Sequence, residues 1–61
     1  MNSRIKRMIM AAGLDRSDFY RSTMGEWTYL GFSLEQLTLS DETRPGTLSA
    51  GVRGILIALG E

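Results

Sequence analysis

Leu14-Asp15-Arg16-Ser17-Asp18-Phe19 and Phe32-Ser33-Leu34-Glu35-Gln36-Leu37 are two copies of one local pattern, and their reading decides the fold. In each, a polar residue (Asp15, Ser33) is followed three positions later by an acid or amide (Asp18, Gln36) that can reach back to its backbone N–H, as in a capping box. In each, an apolar residue before the cap (Leu14, Phe32) can close a hydrophobic staple on one at the fourth helical position (Phe19, Leu37). Both copies therefore predict helix starts.

Working outward, Ser3–Ala12 reads as a first helix, capped by Ser3, with Ile5, Met8, Ile9 and Ala12 on one face. Gly13 supplies a left-handed stop and Leu14 the apolar contact that accompanies it. A second helix is expected from Asp15 to about Met24, ended by Gly25. Residues 26–31 (Glu-Trp-Thr-Tyr-Leu-Gly) read as a loop, although Trp27, Tyr29 and Phe32 nearly alternate like a short extended segment. A third helix runs from Ser33 to about Ser40 with Leu34, Leu37 and Thr38 inward, and Pro45-Gly46 marks a loop after it. The last helix is expected over Thr47–Leu59, capped by Thr47, with Leu48, Val52, Ile55, Leu56 and Leu59 on one stripe. Gly51 and Gly54 inside it each cost up to about 1 kcal/mol relative to Ala. Either another helix approaches closely there, within the monomer or across a dimer axis, or they are tolerated weak points. The expectation is one domain over residues 1–61, all-α, a compact bundle of four or five short helices with a helix-turn-helix-like layout.

At 61 residues the core is marginal, which keeps dimerisation open. The chain has neither Cys nor His, so disulfides, thiolate metal sites and the commonest general base are missing. No Gly-rich phosphate loop follows a strand, and capping accounts for Asp15 and Asp18, so an enzyme is not expected and neither is a cofactor or metal. The apolar stretch Met8–Ala12 behind Arg4, Lys6 and Arg7 is too short for a signal-peptide core or membrane span, so the expected location is cytoplasmic with no membrane partner. Seven basic and seven acidic residues cancel, which removes the strong positive field that marks many nucleic-acid binders.

The order of Ile5–Leu14, then Asp15–Gly25, then Arg44-Pro45 through Leu59 resembles the phage-repressor (Cro/Xre-like) helix-turn-helix family, and is similar in layout to small phage autoregulators. The resemblance implies a dimeric transcription regulator on double-stranded DNA, with the third helix in the major groove and a homodimer formed through the last helix. It would place Arg16, Arg21 and Arg44 on phosphates, and Ser33, Glu35, Gln36 and Thr38 at bases or backbone. The chain departs from the family in its long segment between the second and third helices, in Tyr20 where a small residue is usual, and in a reading helix without Lys or Arg. The alternative expectation is a small phage-type protein that binds and inhibits a host protein through a surface of Trp27, Tyr29, Leu30 and Phe32. Against that stands the simpler assignment of these aromatics to the core.

Overall fold

In a computed structural model describing residues 1–61, the chain is α+β rather than an all-α bundle, with three helices around a three-stranded antiparallel sheet. The first helix, α1 (Ser3–Ala11), is capped by Asn2, whose Oδ1 accepts the Ile5 N–H at 2.9 Å, one residue before the expected Ser3. It ends as its sequence led us to expect. Leu14 N–H bonds back to the Ile9 carbonyl and Gly13 N–H to that of Met10, with Gly13 at φ +72°, the Schellman arrangement.

The expected second helix is absent. Asp15 caps only a single 3-10 turn, Arg16–Asp18, and the chain then runs extended as β1 (Phe19–Arg21). Phe19-Tyr20-Arg21-Ser22-Thr23 is rich in aromatic and β-branched residues, which lose rotamer freedom in a helix and fit a half-buried sheet. Asp15 keeps its role as a cap, and Phe19 reaches the core from a strand instead of a helix. Gly25 ends no helix. It sits at φ +86° in the β1–β2 connection, where its N–H bonds to the Ser22 carbonyl and Ser22 N–H bonds to that of Glu26, as in a three-residue hairpin loop with a left-handed glycine.

Residues 26–31, expected as loop, hold β2 (Trp27–Tyr29) and the start of a second hairpin to β3 (Phe32–Ser33). Their alternation was the true signal. Phe19 pairs with Tyr29, Tyr20 with Thr28 and Arg21 with Trp27, while Thr28 pairs with Ser33 and Tyr29 with Phe32. Phe19 and Tyr29 meet with ring centroids 4.8 Å apart, and Trp27 and Tyr29 lie half-buried against the core.

The second capping pattern does start a helix. Ser33 Oγ accepts the Gln36 N–H at 3.2 Å and Gln36 Oε1 accepts the Ser33 N–H at 2.9 Å, opening α2 (Leu34–Thr43), three residues longer than expected. The last helix, α3 (Ala50–Gly60), is capped by Ser49 and not by Thr47, whose hydroxyl donates to the Arg44 carbonyl. Its stripe Val52, Ile55, Leu56 and Leu59 is buried among Ile5 and Ile9 of α1, Phe19 of β1, Leu37 of α2 and Leu48. That stripe is therefore spent inside one chain. No helix is long and apolar enough to cross a membrane.

Gly51 and Gly54 differ in their surroundings. A Cβ on Gly51 would lie 3.3 Å from the Ala12 Cβ at the end of α1, whereas one on Gly54 would meet nothing within 4 Å. Gly54→Ala is expected to stabilise the protein by up to about 1 kcal/mol in urea unfolding, and Gly51→Ala by clearly less because α1 must shift. Equal gains would show that the α1–α3 contact does not need a glycine.

Candidate functional site

The β2–β3 hairpin turns in two residues, Leu30 and Gly31, at φ +55° and +88°. A two-residue turn with both central residues at positive φ matches the right-handed twist of the strands and favours Asn, Asp or Gly at its first position. Leu30 is instead a bulky apolar residue in the left-handed region, at a cost of about 1–2 kcal/mol, and it is 53% exposed. Beside it, Phe32 is 55% exposed. Gly31 is fixed by a second constraint, since a Cβ there would come within 3.3 Å of the Tyr20 hydroxyl. On the strand behind the turn, Thr28 is buried and its hydroxyl donates to the Tyr20 carbonyl at 2.7 Å, so the base of the hairpin is tied to β1 while its tip stands out.

The tip forms one wall of a groove of about 340 Å³. Tyr29, Leu30 and Phe32 make the hairpin wall, Leu14, Leu37 and Val52 come from three other parts of the chain, and Gly46, Thr47 and Ser49 of the α2–α3 connection make the remainder. None of these residues is charged. The connection is held by Asp41 in the last turn of α2, whose Oδ1 accepts the N–H groups of Gly46 and Leu48, both at 3.0 Å. Those bonds, that from Leu48 foremost, and the nearby Arg53 charge hold the Asp41 carboxyl below its ordinary value of 3.8. Asp15 is held down likewise, first by the Ser17 N–H and then by the Ser17 hydroxyl, at 2.9 and 2.8 Å.

Of the residues expected to contact DNA, the fold brings Arg21, Ser33 and Glu35 into one cleft and sets Arg16 on another groove. Ser33 and Gln36 are committed to each other in the capping box, and the Thr38 hydroxyl donates to the Leu34 carbonyl at 2.7 Å. Arg21 lies over the Trp27 ring, 5.4 Å from its centroid, and shares a separate cleft with Glu35, while Arg44 caps the far end of α2. Arg16, on the 3-10 turn, shares a third groove with Lys6 and Met10 of α1. Of the aromatic set, Trp27 and Tyr29 serve the core, and Leu30 and Phe32 remain exposed. Asp41 and the contributions of Leu14, Leu37 and Val52 were missed. The two residues between Tyr29 and Phe32 were the available signal for the hairpin, but nothing local marks Asp41 as the partner of a loop five to seven residues on.

No protein-family model matches the chain, and neither does any curated protein or solved structure.

Leu30→Asn relieves the left-handed backbone and removes an exposed apolar side chain, so the unfolding free energy is expected to rise by about 1 kcal/mol. A fall in thermal or urea midpoint would mean that Leu30 supports the fold. A carboxyl with a lowered folded pKa contributes stability that is present above its unfolded value and lost as pH falls through the folded one. Stability should therefore drop below pH 3.8, and Asp41→Ala should make that drop shallower in acid titrations followed by circular dichroism.

Proposed function

We propose that this protein is a small protein-binding module that docks through the Leu30–Phe32 tip and its adjoining groove onto an uncharged, apolar segment of another protein. The observation that carries this reading is Leu30, which combines a left-handed backbone with an exposed apolar side chain. The two-residue turn imposes the left-handed backbone but does not call for an exposed apolar side chain there, and an outlier of this kind is a rational starting point for a functional hypothesis. The occupant's chemistry follows from the lining. A groove without charged residues gives a buried ion no partner and so disfavours it, whereas aliphatic or aromatic anchors gain from leaving water.

Peptides selected from a random display library on the immobilised protein should carry such an anchor flanked by neutral residues. Their affinity should fall about tenfold or more on the Phe32→Ser protein, the scale of an interface hot spot. Selected peptides indifferent to Phe32→Ser and Leu30→Asn would overturn the reading, as would the recovery of no peptides at all.

A DNA-binding regulator is the second reading, favoured by the exposed Arg4, Lys6 and Arg7 of α1 and Arg16 beyond it. Contact would have to run through α1, because α2 carries Glu35, Asp41 and Glu42 with no cation before Arg44. Duplex binding that weakens steeply with salt and is lost in Lys6→Ala/Arg16→Ala would favour it over peptide docking.

A further inference from the structure

The wall of the docking groove opposite the hairpin has no secondary structure of its own, yet three of its residues, Gly46, Thr47 and Ser49, face the apolar tip. Two features hold this stretch in place. Leu48 is buried in the core, and a single carboxylate oxygen, Asp41 Oδ1, gathers the N–H groups on either side of Thr47 at 3.0 Å each. The Thr47 N–H and hydroxyl both turn back to the Arg44 carbonyl, at 3.2 and 2.6 Å, so the loop folds around the end of α2. Leu48 fixes how deep the loop sits, and Asp41 fixes how its backbone lies over the groove.

We infer that Asp41 is a positioning residue for the docking groove, holding the Gly46–Ser49 wall at the separation from Leu30 and Phe32 that an apolar side chain requires. The inference rests on the docking reading and adds to it a residue that touches no ligand. The charged groups around Asp41 are Arg53 of α3, whose charge helps hold its carboxyl down, and its chain neighbours Glu42 and Arg44. A carboxylate accepting two backbone N–H groups makes stronger bonds than a neutral acceptor. An amide in its place keeps an acceptor oxygen, whereas a methyl group leaves both N–H groups to water.

The test uses Nile red, a neutral dye that brightens in apolar sites, titrated into the wild-type protein and into Phe32→Ser, Asp41→Ala and Asp41→Asn, with folding of each verified by circular dichroism. Phe32→Ser should weaken dye binding because it strips the hairpin wall. Asp41→Ala should weaken it about tenfold, the equivalent of one lost charge-assisted hydrogen bond. Asp41→Asn should restore it to within about threefold of wild type. If Asp41→Ala does not fold, Asp41→Glu takes its place. It keeps the charge but displaces the oxygen by a methylene, and the expected loss of binding then separates position from charge. Wild-type dye affinity in Asp41→Ala or Asp41→Glu, with loss only in Phe32→Ser, would overturn the positioning role and leave the docking reading standing. Equal loss in Asp41→Ala and Asp41→Asn would also overturn it, because an acceptor at this point would then not suffice to hold the wall. Unchanged binding in Phe32→Ser would place the dye elsewhere and overturn both.

Discussion

Burial of the α3 stripe is the constraint on which the other elements depend. Val52, Ile55, Leu56 and Leu59 supply almost half of the nine buried apolar residues, and Ile55 and Ile9 of α1 are the most inaccessible members of that cluster. A chain this short has little else to offset the conformational entropy of ordering its backbone. Each remaining segment is placed by what it adds to that stripe. α1 contributes Ile5 and Ile9, β1 contributes Phe19, α2 contributes Leu37, and the α2–α3 connection contributes Leu48.

This dependence explains why the middle of the chain is sheet. The tilted rings of Phe19 and Tyr29 meet at 4.8 Å because β1 and β2 lie side by side in the register that sets these two residues opposite each other. The same pairing sets Trp27 against the core and leaves Arg21 over its ring. A helix from Asp15 would have buried Phe19 but left Tyr20 and Thr23 to crowd the turns beside it, with no place for the alternating Trp27 and Tyr29. The sheet then imposes its own geometry. Two residues must reverse the chain between Tyr29 and Phe32, so Leu30 and Gly31 take positive φ. What the core requires at the base of the hairpin therefore creates strain and exposure at its tip.

The groove beside the tip is a product of the same arrangement. Its lining comes from the loop after α1, the hairpin, α2, the α2–α3 connection and α3, segments brought together by packing on one stripe. It has no charged member, while the cleft near Trp27 is rimmed by Arg21, Glu26, Glu35 and Glu61, and the groove at α1 by Lys6, Asp15 and Arg16. Three concave surfaces on one small protein thus differ in electrostatic character, and the neutral one adjoins the strained residue.

The amino-acid sequence by itself determined the features that depend on a few adjacent residues. These are the Schellman stop at Gly13-Leu14, the capping box of Ser33 and Gln36, the apolar stripe of α3 and the missing Cys and His chemistry. Each is legible locally, from a few adjacent residues, from a repeat along one helix or from composition. Only the tertiary structure decided that the identical-looking pattern at Asp15–Phe19 would yield one 3-10 turn and a strand, because the Asp15 cap forms in either case and the pairing of Phe19 with Tyr29 across the sheet is a contact that no local signal encodes. Only the tertiary structure, likewise, set Leu30 in the left-handed region and placed Asp41 on the Gly46 and Leu48 amides, since both follow from where distant segments come to rest on α3.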